Sequence, residues 1–162
     1  MPAPANNRFQ ALAAGLDVEV AVSEFPEGTR TATDAAAAVG CAVDAIVKSL
    51  VFIADERPVL LLVSGGNRVD ETRLATMLGA TAVRKATADE VRAATGYAIG
   101  GTPPFGHHGN GVDDVLLDPT LLEHDTVWAA AGTPSTVFPI PSARLVDAAG
   151  ARVVDITEVH HP

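Results

Sequence analysis

The sequence predicts an α+β fold, a mixed and mostly antiparallel curved sheet with short helices around it, and three observations lead there. Strand-patterned runs occur in groups with helical stretches interspersed among them, which is the order of an α+β layer arrangement. Residues 58–63, Pro-Val-Leu-Leu-Leu-Val, read as a strand buried on both faces, and they follow the strand run 46–53 after a turn at Asp55 to Arg57. The pair therefore belongs in the middle of a sheet. Finally, 162 residues with 48% apolar content suffice for one real core, so residues 1–162 are taken as a single domain without internal repeat.

In chain order, residues 7–16 read as a short helix with Phe9, Leu12 and Ala13 at helical spacing, followed by an alternating strand at 18–22 and a turn at 27–29. Thr33 or Asp34 can cap an alanine helix over 35–39 that Gly40 stops. After the central pair, Asp70 caps a helix in 69–79 whose Leu74, Met77 and Leu78 face inward. Residues 81–84 form a brief strand. Thr87 and Glu90 make a capping box for a helix that runs to Thr95 and ends at Gly96. Residues 112–117 are a strand, Asp118-Pro119 starts one helical turn, and 126–131 pairs with 136–140 as a hairpin across Gly132-Thr133-Pro134. A last helix to Ala149 starts at Pro141-Ser142, and 152–156 is a final strand.

Composition removes several classes of function. Aromatic residues are 4% of the chain, so Ala, Val, Leu and Ile must build the core. No apolar run of membrane-spanning length and no signal-peptide pattern is present, which predicts a cytoplasmic protein. The single Cys41 reads as a small buried hydrophobe and not as a nucleophile. A formal charge of −9 argues against general attraction to a long nucleic-acid backbone, while leaving room for a local basic patch.

The candidate site lies in the stretch from Gly96 to Asp113, which holds six glycines and two prolines. Glycines open backbone conformations closed to other residues, and Pro103-Pro104 fixes two φ angles and removes two donors. The segment is either a surface linker or a shaped loop that brings bare peptide groups to a small ligand at Gly100, Gly101 and Gly106. Lys48 shares its strand face with Ile46, Leu50 and Phe52. It is either a rim lysine whose head reaches water or a lysine aimed into a cleft. Adjacent His107 and His108 lack the further ligands that a metal site needs, so neither metal nor other cofactor is expected. There is no nucleophile elbow, phosphate loop or dinucleotide fingerprint. A lysine, a peptide-lined loop and one imidazole can hold a phosphate and orient an ester carbonyl.

The order Ile46-Val47-Lys48-Ser49-Leu50-Val51, Gly65 with Val69-Asp70, Gly96-Tyr97, Gly100-Gly101-Thr102-Pro103-Pro104-Phe105-Gly106, then Trp128 to Gly132, resembles the YbaK and prolyl-tRNA synthetase-associated editing-domain family over roughly residues 20–155. The strand lysine and the Gly-x-x-x-Pro loop, Gly100 to Pro104, are the most specific parts. The Pro103 to His107 stretch is more similar to free-standing members than to the domain inserted in the synthetase. The resemblance implies metal-free hydrolysis of the ester of mischarged aminoacyl-tRNA. Lys48 would meet the phosphate of the terminal nucleotide, and the Gly100 to Pro104 backbone would position the aminoacyl group. Lys48 and Gly101 would carry the reaction. Gly100, Thr102, Pro103, Pro104, Gly106, His107 and Gly132 would line the substrate. The implied partner is the acceptor end of aminoacyl-tRNA, with an aminoacyl-tRNA synthetase as a further candidate. Cysteine-removing members carry an acidic residue where this chain has Val137, so cysteine is not carried over as the substrate residue. A protein that binds an aminoacyl or nucleotide-like ligand without turning it over is the alternative.

Overall fold

The computed structural model describes residues 5–15, 20–25 and 31–158. Its first elements are α1 (Ala5–Gly15), β1 (Ser23–Glu24), α2 (Ala32–Val39), a 3₁₀ turn (Val43–Ala45), β2 (Val47–Ala54) and β3 (Arg57–Ser64). They are followed by α3 (Glu71–Leu78), β4 (Val83–Lys85), α4 (Ala88–Thr95) and β5 (Asp114–Leu117). A second 3₁₀ turn (Pro119–Glu123), β6 (Thr126–Ala130), β7 (Thr136–Pro141), α5 (Ser142–Ala149) and β8 (Arg152–Val153) complete the described chain.

The α+β class holds, with the strands divided between two sheets of order β1-β7-β6 and β4-β2-β3-β5-β8. Neighbours are antiparallel except β3 with β5 and β5 with β8. A parallel bridge between Ile46 and Trp128 links the sheets. β2 and β3 pair along their whole length, Val47 opposite Ser64 through Ala54 opposite Arg57, as the sequence pattern requires.

β3 is buried on both faces because it separates two cores. Leu60 and Leu62 join Val47, Val51, Val127 and Phe138 between the sheets, while Leu61 and Val63 join Phe52, Leu74, Leu116 and Ile156 under α3. Side-chain alternation along a strand assigns one set to each side. Aromatics are few but gathered: Phe9 of α1 lies 5.4 Å from Phe105 and 5.0 Å from Phe138, ring centre to ring centre.

Several predicted details shift. The first strand is Ser23–Glu24, paired to β7, and residues 20–22 take no regular structure, because Val20 and Val22 pack on the core instead. Residues 18, 19 and 27–29 lie outside the described residues. Thr31, not Thr33 or Asp34, caps α2, its hydroxyl accepting the Asp34 N–H at 3.0 Å. Met77 is 42% exposed, since the short α3 buries only the stripe through Leu74 and Leu78. Leu12 is likewise outside the buried stripe of α1, where Phe9 and Ala13 face in. β8 stops at Val153, because the Asp155 carboxylate turns the chain by accepting the Thr157 N–H. Cys41 is half-buried rather than buried, and burial raises its thiol pKa. The capping box of α4 is present with both hydrogen bonds, and Arg84 holds the Glu90 carboxyl down to about 2.

The glycine-rich stretch after α4 is no surface linker. A helix leaves its last carbonyls without partners inside the helix, and here the loop supplies them. The N–H groups of Asn110, Gly111 and His108 donate to the carbonyls of Ala93, Ala94 and Thr95 at 2.7, 2.7 and 3.0 Å. Such close approach needs Gly109, whose missing Cβ would lie 2.5 Å from the Ala93 oxygen. Residues 101–105 are buried, with Phe105 in the core.

Candidate functional site

β2 meets β3 along its whole length but meets β4 only at Phe52, Ile53 and Ala54, so among the described residues its first half has a free edge. β6 departs in the same direction from the Ile46–Trp128 bridge. Between them opens a cavity of about 400 Å³. Val47 to Leu50 form one wall and Trp128 to Ala130 the other. The start of α2 (Thr31 to Thr33, with Ala35), Ile46, Gly65, Ile99, Gly100, Thr102 and Val137 complete the lining.

Among the described residues, Lys48 is the only one in that lining with an ionisable side chain. Its Nζ donates to the Asn67 carbonyl at 2.5 Å. Burial lowers its pKa, and the nearby charges of Arg68 and Lys85 add to the lowering, while the Asp118 carboxylate opposes it. The neighbouring Ser49 points to the opposite strand face. Its hydroxyl is buried without a hydrogen-bond partner among the described residues.

Of the loop residues predicted from sequence, Gly100 and Thr102 line the cavity, and Gly101 does not. A Cβ on Gly101 would lie 2.8 Å from the Thr133 backbone, so this glycine is where two loops touch. The open approach belongs to Gly100, with φ of +86° and no atom near its missing Cβ. Thr102 donates its hydroxyl to the Ala98 carbonyl at 3.1 Å.

Pro103, Pro104, Gly106, His107 and Gly132 are also absent from the lining. Gly106 backs onto the Phe9 ring, and its carbonyl accepts the Tyr97 hydroxyl at 3.0 Å. His107 lies 2.7 Å from the Pro103 carbonyl through Nε2, and since a carbonyl only accepts, that nitrogen carries the proton. The imidazole thus closes its own loop, and burial depresses its pKa. Gly132, with φ of +112°, makes the β6–β7 turn.

The α2 turn and the residues Ser49, Leu50 and Ile99 were not legible as site residues. The alanine-rich α2 offered one signal, since small side chains leave space beside a strand, but a single helix does not say what lies opposite. Among the described residues no group of three or more His, Cys, Asp or Glu side chains is placed to hold a metal ion. No described helix is long and apolar enough to cross a membrane.

With this geometry in place, the profile of the aminoacyl-tRNA editing domain matches residues 26–148. The chain belongs to the aminoacyl-tRNA editing domain family. It is 39% identical over 109 residues to the proline–tRNA ligase of Nitratidesulfovibrio vulgaris (strain DP4), a match covering 67% of this chain and 18% of the ligase. The chain thus spans about a fifth of that relative's length. The YwhH protein of Bacillus subtilis (strain 168) is 30% identical over 133 residues, covering 82% of this chain and 83% of YwhH. A crystal structure of a protein proposed as a trans-editing enzyme for prolyl-tRNA synthetase superposes with a TM-score of 0.89 at 41% identity, covering 98% of this chain and 100% of that one. In this editing domain the cavity between β2 and β6 is the candidate substrate site.

Proposed function

We propose that the protein is a free-standing editing hydrolase that cleaves the ester between a wrongly attached amino acid and its tRNA. The observation that carries this reading is a cavity whose single ionisable lining residue, among those described, is Lys48. A volume of about 400 Å³ suits an aminoacyl ester with its terminal ribose, since ligand sites of this kind run from roughly 300 to 1,000 Å³.

In the proposed reaction Lys48 meets the phosphate of the terminal nucleotide, and the backbone at Gly100 and Thr102 orients the aminoacyl group. Water attacks the ester carbonyl carbon, assisted by the substrate's own ribose hydroxyl. The bond to the ribose oxygen breaks, that oxygen takes the proton, and the free amino acid leaves. No lining side chain among the described residues is an obvious strong base, so positioning and charge complementarity supply most of the rate. Val137 presents an apolar wall where an acidic residue would pair with a polar group.

The test is deacylation of a panel of mischarged tRNAs against a no-protein control, with and without exhaustive chelation. Release of one or more amino acids, unchanged by EDTA, supports the proposal. Tight binding without release would make the protein a ligand-binding module, and loss of activity restored by zinc would overturn the metal-free mechanism.

A further inference from the structure

Lys48 is held at the cavity by a peptide carbonyl, that of Asn67, and the construction around that carbonyl is more elaborate than a turn requires. The turn from Ser64 to Asn67 is clamped on one side by the chain before β2. A Cβ on Gly65 would lie 2.4 Å from the Val43 oxygen, and the Ser64 hydroxyl donates to the Asp44 carbonyl at 2.7 Å. On the other side the Asn67 Nδ2 donates to Asp118 Oδ2 at 2.8 Å and to Thr120 Oγ1 at 2.9 Å, which uses both of its hydrogens. Asp118 is 1% exposed and also accepts the N–H groups of Ser64 at 3.1 Å and Thr120 at 2.9 Å.

A buried carboxylate with this many donors is well satisfied, and it caps the 3₁₀ turn over Pro119–Glu123. Capping alone accounts for the Thr120 bond. It does not account for the side-chain amide of Asn67, a turn residue whose backbone carbonyl accepts from the Lys48 ammonium on β2.

We infer that Asn67 is a positioning residue for Lys48: its side chain, anchored on Asp118 and Thr120, fixes the carbonyl that holds the ammonium at the cavity. The inference rests on reading the cavity as the substrate site, but the arrangement can be tested without turnover. The charged groups acting on Lys48 are Arg68 beside the turn, Lys85 on β4 and Asp118 behind Asn67. Asp118 is the only one that favours the charged amine.

The chain contains two lysines, so carbon-13 NMR of the lysine ε-carbons resolves Lys48 with the exposed Lys85 as an internal reference. In Asn67→Ala the Lys48 ε signals should move and lose dispersion while those of Lys85 stay in place. In Asp118→Asn the Lys48 titration should fall to lower pH than in the wild type. Deacylation by Asn67→Ala should drop roughly 10- to 100-fold, the range expected for a displaced positioning group. Thr120→Val removes one anchor while keeping the Asp118 cap, and it serves if Asn67→Ala does not fold. Lys48 signals and titration identical to wild type in the folded variants, with only thermal stability reduced, would overturn the inference. Displaced Lys48 signals in a protein that deacylates no tRNA would support the brace and reject only the proposed reaction.

Discussion

Lys48 places a half-buried ammonium among apolar strand neighbours, where burial favours the neutral amine and one carbonyl offsets only part of that cost. Its charge therefore serves a ligand better than it serves the fold. Lys48→Met should leave the thermal midpoint unchanged or raise it, while deacylation falls at least ~100-fold, the scale of a lost preorganised charge. Lys48→Arg should not restore activity, because a planar fork does not replace a compact point charge beside the Asn67 carbonyl. Thermal melts and deacylation assays on the same preparations check both. His107 gives a second residue-scale prediction. Burial holds its pKa below the ordinary value of 6.5, so the folded state prefers the neutral ring bonded to Pro103. The unfolded chain then binds the proton first as pH falls, and the stability from this group is present above about 6.5 and lost below it. Melts between pH 7.5 and 5.5 should show a decline that is smaller in His107→Gln. An equal decline in both would remove His107 from this role.

Among elements, α4 and the loop after it form one unit, since the loop closes the helix's last carbonyls and then packs against the β6–β7 turn. Gly101 sits at that second contact. From sequence, a side chain there would be expected to block the pocket with little effect on stability. The structure instead puts the added Cβ into the Thr133 and Pro134 backbone, where neither chain can yield without moving its turn. Gly101→Val should therefore lower the thermal midpoint by several degrees, and any loss of activity should accompany that shift. A variant with wild-type melting and no activity would return Gly101 to the substrate site.

Across the whole molecule, a formal charge of −9 goes with a cavity whose described lining holds one cation. Such a protein can make only a few phosphate contacts, each contributing about −0.7 to the slope of log K against log salt for a single strand. Binding of an aminoacylated acceptor end should thus weaken with salt at a shallow slope, on the order of −1 to −2. Binding isotherms at four or five salt concentrations measure it. A slope of about −5 or steeper would show an extended phosphate track across the surface that the charge distribution does not suggest.

What the sequence by itself determined is whatever short-range periodicity or a local hydrogen bond decides. The pairing of β2 with β3, the two-faced burial of β3, the Asp70 cap and the Thr87–Glu90 box all depend on residues a few positions apart, and all are found. Lys48 is legible as a strand lysine with rim and cleft both open, and in the structure it is among the residues that line the cavity. Tertiary structure alone decided which loop residues reach that cavity. Gly100 and Thr102 do, while Gly101 meets Thr133 and Gly106 meets Phe9, because those outcomes depend on where the β6–β7 turn and α1 press against the loop. The same holds for Thr31, Ile99 and Val137, which reach one cavity from three distant parts of the chain. Glycine and proline in a sequence announce that a backbone is shaped, but the direction in which it opens is set by the packing of the other segments around it.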